Sequence, residues 1–270
     1  MPVPAPHPDA RAVVTGASQG IGEALAFDLA GRGHHLIVTA RRGDVLTELA
    51  ERITARHGVT VEVRAVDLAD PTAREVFCQE LAGRNISILC ANAGTATFGP
   101  LAKLDPAGEK AQVQLNAIAV HDLCLAVLPG MLERQAGGIL ISGSAAGNSP
   151  IPNNATYAAT KAFANTFSES LRGEVKKQGV NVTLLAPGPV RTEFLETAGM
   201  DERTFAAAFP KFLWIPSRDV AKKGIEALES GRSVIPGWQN EIPARVFEFL
   251  PRKLLLPLIK NQHPALRQSR

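Results

Sequence analysis

The chain has 270 residues, with 29 Lys and Arg against 26 Asp and Glu, 45% hydrophobic and 20% charged residues. That length suits one large domain or two small ones, and the net charge of +3 gives no electrostatic case for a nucleic-acid partner. Cys78, Cys90 and Cys124 are odd in number, widely spaced and free of any CxxC, so no disulfide framework and no metal site is expected, and free thiols in the cytoplasm are.

The first ten residues, MPVPAPHPDA, lack the apolar stretch of a signal peptide and read as a flexible, extended tail. No uninterrupted apolar run reaches the roughly 18 residues that a bilayer span needs. From residue 11 short apolar runs alternate with longer helical ones. RAVVTGAS predicts a strand ending in a glycine turn, and IGEALAFDLAGRG a helix closed by glycine. HHLIVTA, VTVEVRAVDL and ISILCANAG predict strands two to four, with helices at VLTELAERITARHG and PTAREVFCQELAG between them. AQVQLNAIAVHDLCLAVLPGML predicts a long helix with Val113, Ala117, Val120, Cys124 and Val127 on its apolar face. GGILISGS predicts a fifth strand, and 155–178 a helix with Phe163, Phe167 and Leu171 as its stripe. VNVTLLAPG predicts a sixth strand and RSVIP, near residue 234, a short seventh. Continuously apolar strands between helices predict an α/β fold, a doubly wound parallel sheet of Rossmann type with helices on both faces. No composition break marks a second domain over 11–240.

The loop TGASQGIG joins the first strand to the first helix. Gly16, Gly20 and Gly22 allow a tight turn, and the helix start presents free N–H groups to an anion such as a pyrophosphate. The spacing is GxxxGxG rather than GxGxxG. At the end of the second strand a dinucleotide fold meets the adenosine ribose, where an acid suits NAD and an arginine the 2′-phosphate of NADP. Here IVTARRGD puts Ala40 where an acid might stand, followed by Arg41, 19 positions after Gly22, and Arg42. Two solvated arginines are the alternative. Ser18 offers a hydroxyl to the same phosphate, and Asp44 is better placed as a helix N-cap.

Thr15-Gly16-Ala17-Ser18-Gln19-Gly20-Ile21-Gly22, Asp67-Leu68, Asn92-Ala93-Gly94, Asn116, Ser144, Tyr157-x-x-x-Lys161 and Pro187-Gly188-Pro189-Val190-x-Thr192 follow one another over roughly residues 11 to 235. In that order and spacing they resemble the short-chain dehydrogenase/reductase family. The resemblance implies an NADP(H)-dependent oxidoreductase that moves hydride between nicotinamide and a carbonyl or alcohol carbon. It implies that Gly16, Ser18, Gln19, Gly20, Ile21 and Gly22 hold the phosphates, with Arg41 and Arg42 at the 2′-phosphate. Asp67 and Leu68 would frame the adenine, and Asn92, Ala93 and Gly94 would pass the ribose. Pro187, Gly188, Val190 and Thr192 would meet the nicotinamide end. A homodimer or homotetramer is the family's usual assembly.

The chemistry fits the residues. Tyr157 is the only tyrosine in the chain, and Lys161 stands four positions later on the same helix face. A phenol has a pKa near 10, and a neighbouring ammonium is expected to lower it toward that of a useful proton donor. By the resemblance Tyr157 and Lys161 also bind the cofactor, Lys161 at the nicotinamide ribose. Ser144, 13 residues before Tyr157, would clamp the substrate oxygen; Ser142 is a rival. Asn116 interrupts an apolar helix, either as support for a local kink or, by the resemblance, as holder of a water behind Lys161.

Phe194, Phe205, Phe209, Phe212 and Trp214 crowd the segment near 188–215, which reads as a lid over an apolar substrate or as a flap packed on its own protein. The extension 241–270 has a Leu/Ile-rich centre, and 251–270 carries five Lys or Arg and no acid. It suits a packed helix, a subunit contact, a roof over the site or a peripheral membrane contact. A small apolar or lipid-like ketone is the expected substrate. A non-catalytic NADP-binding regulator is the alternative, against which the retention of Ser144, Tyr157 and Lys161 speaks.

Overall fold

Six apolar segments form one parallel sheet: β1 (Arg11–Thr15), β2 (Leu36–Ala40), β3 (Val61–Ala65), β4 (Ile86–Ala91), β5 (Gly137–Ser142) and β6 (Val180–Leu185). Their order is β3-β2-β1-β4-β5-β6. The computed structural model describes residues 3–191, 210–237 and 239–241. Every residue of β4 and β5 is buried, because helices cover both faces. Helices α1 (Gly20–Gly31) and α2 (Gly43–His57) share one core cluster with α7 (Ser217–Ser230). On the other face α3 (Pro71–Ala82), α5 (Ala119–Glu133) and α6 (Ala155–Val175) share the second. The chain reverses its winding direction between β1 and β4, so the carboxyl ends of these strands border the crevice where doubly wound folds bind ligands. The seventh strand expected near residue 234 is reduced to a single parallel bridge between Leu185 and Val234.

Local chemistry explains the helix boundaries. Asp70 accepts a hydrogen bond from the Ala73 N–H at 2.8 Å and Pro71 follows it, so α3 starts there. Asp44 does not cap α2, as the sequence suggested: the cap position is Arg42, and Asp44 lies in the first turn, where its charge favours the helix dipole. Residues 3–7 of the Pro-rich N-terminal segment form no helix or strand, residues 8 and 9 form a turn, and Val3 packs against the α1–α7 cluster.

The long helix after β4 is three pieces: α4 (Pro106–Val113), a π turn (Gln114–Ile118) and α5. The wider turn shifts the register, so Val113 is exposed while Ala117, Val120, Cys124 and Val127 are buried. By length and mean hydropathy, 1.6, Pro106–Glu133 could cross a membrane, a property masked in the sequence by Asn116, His121 and Asp122. Its buried residues instead join the core. On α6 the apolar stripe also differs from expectation. Phe163 is exposed and stacks on Phe167, while Ala164, Ser168, Leu171 and Val175 face inward.

Arg74 locks this region to the sheet edge. It is buried, donates to Asp122 Oδ2 at 2.8 Å, to Gln114 Oε1 at 2.9 Å and to the Leu68 carbonyl at 2.9 Å. Removing one member of a buried ion pair is costly, though the part-exposed Asp122 moderates the loss. Arg74→Leu is expected to cost roughly 2–3 kcal/mol in a urea titration, with weaker cofactor binding because Leu68 loses its anchor.

Candidate active site

The glycine loop is folded by necessity. Gly16 has φ +65°, and a Cβ there would lie 2.8 Å from the Ala93 Cα. At Gly22 a Cβ would lie 2.1 Å from the Gly16 carbonyl oxygen. Side chains at either position would push the loop off the strand ends. Helix α1 then begins after Gln19 with no side-chain cap, so the first-turn N–H groups, those of Gly20, Ile21 and Gly22 among them, are available to an anion.

Beside this loop stands Arg42. It donates to Gln19 Oε1 at 2.5 Å and to Ser18 Oγ at 3.3 Å. Arg41 is exposed and, among the described residues, has no hydrogen-bond partner. Of the two arginines expected at the 2′-phosphate, Arg42 is the one hydrogen-bonded to the loop. Ala40 pairs with Ala65 on β3, and no acid occupies that strand end.

The second wall comes from β4. Thr15 Oγ1 accepts from the backbone N–H groups of Asn92 and Ala93, each at 2.9 Å, and Asn92 Nδ2 donates to the Thr15 carbonyl at 3.1 Å. A Cβ on Gly94 would face Asn116 Oδ1 at 3.3 Å and Lys161 Nζ at 3.5 Å, so this turn runs past the lysine. Asp67 is exposed and accepts from the Ala69 N–H at 2.9 Å, while Leu68 is buried.

The third wall carries the polar triad. Ser142 donates to Asn92 Oδ1 at 3.0 Å, and its carbonyl accepts from Lys161 Nζ at 2.7 Å. Ser142 is thus occupied with structure, and Ser144 is the serine hydrogen-bonded to Tyr157. Ser144 in turn is gripped by Asn165. Its N–H donates to Asn165 Oδ1 at 3.3 Å, and Asn165 Nδ2 donates to the Ser144 carbonyl at 3.0 Å. The Pro187 carbonyl accepts from the Ala145 N–H at 3.1 Å, which brings the PGPV turn to the same end of the sheet. Gly188 lies against Asn240, and Val190 pairs with Ile215 in a short two-stranded element. Thr192, Phe194, Phe205, Phe209 and the extension beyond residue 241 lie outside the described residues.

The electrostatics differ from the sequence expectation. Tyr157 is half-buried, and that desolvation raises its pKa above the ordinary 10.0, which the Ser144 hydrogen bond only partly opposes. Burial also pushes the Lys161 amine down to about 8. Lys161 Nζ lies 5.8 Å from the Tyr157 ring centroid and bonds the Ser142 carbonyl instead of the phenol. Lys161 loses its proton at about 8, below the range of the phenol, so no ammonium faces Tyr157 when the phenol titrates.

Asn116 sits in the π turn and is 1% exposed. Its Nδ2 donates to the Thr95 carbonyl at 2.8 Å and to Thr160 Oγ1 at 3.1 Å, and its Oδ1 accepts from the Thr95 N–H at 2.9 Å. The kink and the placement of Asn116 beside Lys161 coexist.

The sequence profile of the family described as short chain dehydrogenase matches residues 10–203. The chain belongs to the short-chain dehydrogenase family. It is 36% identical over 215 residues to sulfoacetaldehyde reductase 2 of Chromohalobacter salexigens, covering 78% of this chain and 84% of that protein. It is 33% identical over 236 residues to the very-long-chain 3-oxoacyl-CoA reductase of Bos taurus, covering 84% and 76%. A short-chain dehydrogenase from Sphingobium yanoikuyae in complex with NADPH superposes with a TM-score of 0.79 at 29% identity, covering 90% of this chain and 97% of that one.

The residues of this short-chain dehydrogenase fit a nicotinamide dinucleotide. An uncapped helix start faces the loop for a pyrophosphate, and Arg42 with Ser18 supplies a cation and a hydroxyl for a 2′-phosphate. Sequence reasoning missed two supports, the hydroxyl of Thr15 and the whole of Asn165. Asn165 lies one turn beyond Lys161 on the buried face of α6, a polar residue where an apolar one is ordinary. That spacing was the available signal.

Proposed function

We propose that this protein is an NADPH-dependent carbonyl reductase whose proton donor is Tyr157. The observation that carries the reading is the Ser144–Tyr157 hydrogen bond at the carboxyl end of the sheet, with Lys161 held beside it. Bound NADPH supplies hydride to the carbonyl carbon. Ser144 hydrogen-bonds the carbonyl oxygen, and Tyr157 Oη gives it a proton, so the product is the alcohol. Lys161 has one N–H engaged by Ser142, which leaves its others for the nicotinamide ribose hydroxyls.

An apolar or lipid-like ketone is the substrate class we favour. Support comes from the similarity to very-long-chain 3-oxoacyl-CoA reductases. It also comes from a likeness to a bulky-bulky ketone specific alcohol dehydrogenase of Comamonas testosteroni, 26% identical with a TM-score of 0.75. A carbonyl panel containing long-chain 3-oxoacyl thioesters, bulky ketones and sulfoacetaldehyde tests this, with reduced-cofactor absorbance as the readout. Turnover of sulfoacetaldehyde alone would place the protein with its other relatives. A cytoplasmic setting agrees with three free cysteines, of which burial pushes Cys90 and Cys124 up to about 12. A homo-oligomer is the assembly we expect, to be read by light scattering.

The cofactor choice rests on Arg42. A hydrogen bond to a charged group contributes about 1.5–3 kcal/mol, so Arg42→Ala is expected to raise the KM for NADPH about 10- to 100-fold. The KM for NADH should stay within about threefold. If Arg41→Ala has the larger effect, the assignment passes to Arg41.

A further inference from the structure

Glu109 is 9% exposed, and among the described residues it has no ion-pair partner. A buried carboxylate without a cation is costly unless hydrogen bonds satisfy it. Here two hydroxyls do. Thr97 Oγ1 donates to Glu109 Oε1 at 2.5 Å, and Thr156 Oγ1 donates to Glu109 Oε2. Thr156 immediately precedes Tyr157.

The arrangement repeats that of Asn116, seven residues further along and on the same buried face. Asn116 bonds Thr95 of the loop after β4 and Thr160 of α6; Glu109 bonds Thr97 of that loop and Thr156 of α6. Thr156 and Thr160 are four residues apart, so they share a face of α6 and bracket Tyr157. Asn154 adds a bond from its Nδ2 to the Thr97 carbonyl at 2.6 Å. The first turn of α6 is thereby held to the loop at two levels, and its own cap residue, Asn154, makes no side-chain cap hydrogen bond to it.

We propose that Glu109 is a positioning residue for Tyr157: its carboxylate, shared between Thr97 and Thr156, sets the first turn of α6 against the loop after β4. The proposal rests on the reading of Tyr157 as proton donor, but its geometric part can be read without turnover. Tyr157 is the only tyrosine, so the tyrosinate absorbance of the whole protein reports its environment alone.

The experiment compares Glu109→Ala, Glu109→Gln and Thr156→Val with the unaltered protein, using NADPH fluorescence for binding and the best ketone of the panel for turnover. Gln keeps one acceptor and offers a donor that a threonine oxygen can accept, so it preserves the tether without the charge. Small misplacements of a reacting group cost up to about 10²-fold, so Glu109→Ala and Thr156→Val are expected to lower kcat about 10- to 100-fold. NADPH affinity should stay within about twofold and Glu109→Gln within about threefold of the parent. The phenol should titrate at lower pH in Glu109→Ala and Thr156→Val, because a loosened turn admits water to it. Parent-like kcat and phenol titration in both tether variants overturn the proposal. So does a Gln variant as impaired as the Ala variant, or a loss of NADPH affinity equal to the loss of kcat. A shifted titration in a protein whose turnover survives Tyr157→Phe would support the tether while removing the proton-donor reading.

Discussion

Tyr157→Phe is expected to lower kcat for carbonyl reduction by about 10³-fold, the range in which a positioned general acid contributes. The NADPH dissociation constant should change by less than about threefold, because the ring is kept and the other cofactor contacts remain. The lost hydrogen bond to Ser144 costs about 1 kcal/mol of stability, too little to unfold the protein at room temperature. Turnover and binding therefore separate, which a merely destabilised protein would not achieve. The parent also carries a signature that the variant must lack. Burial holds the phenol above its ordinary 10.0, so one tyrosine should ionise in strongly alkaline solution, and none in Tyr157→Phe. Retention of more than a tenth of the parent kcat would rule Tyr157 out as the donor.

Features carried by neighbours in sequence were legible before the structure. Alternating strands and helices, the glycine loop, and the Tyr157–Lys161 pair each lie within one turn or one loop, where spacing dictates geometry. Ser144 was separable from Ser142 only by family spacing; the structure gives the physical reason, since Ser142 is held by Asn92. What spacing hid depends on depth and on distant partners. Arg42 bonds Ser18 and Gln19, residues 24 and 23 positions away, contacts that spacing does not show. The π turn at Asn116 shifts a helical stripe by one residue, so Val113 is exposed. Phe163 falls by spacing in the apolar stripe of α6 but is exposed, and the buried face holds Thr160, Lys161, Asn165 and Ser168 among its residues. Glu109 answers to residues 97 and 156, contacts that no local pattern encodes. The same holds for the tuning of the phenol: the two residues are four apart as expected, but burial acts on both and outweighs their proximity.

That inversion assigns the alkaline limb of the reaction. Lys161 titrates at about 8, and Tyr157 above 10.0. The free-enzyme kcat/KM for reduction is therefore expected to fall as pH rises through about 8, as Lys161 loses its proton, and not near the phenol's pKa. When Tyr157 gives up its proton, the anion left behind is stabilised by the ammonium. At 5.8 Å from the ring centroid and an effective dielectric near 20, that attraction is about 3 kcal/mol, or ~100-fold in rate. Unfolding does not mimic this loss. Between about 8 and the ordinary 10.5 the unfolded chain binds a proton at Lys161 that the folded chain does not, so this group makes stability rise with pH in that window. Lys161→Met should lower kcat/KM at neutral pH by about 10²-fold or more and abolish the limb near 8. Its fold should survive, because the orphaned Ser142 carbonyl costs about 1–3 kcal/mol while the burial penalty of the ammonium disappears. A pH profile in Lys161→Met with the parent's alkaline limb intact would assign that limb to another group and leave Lys161 as a ribose anchor alone.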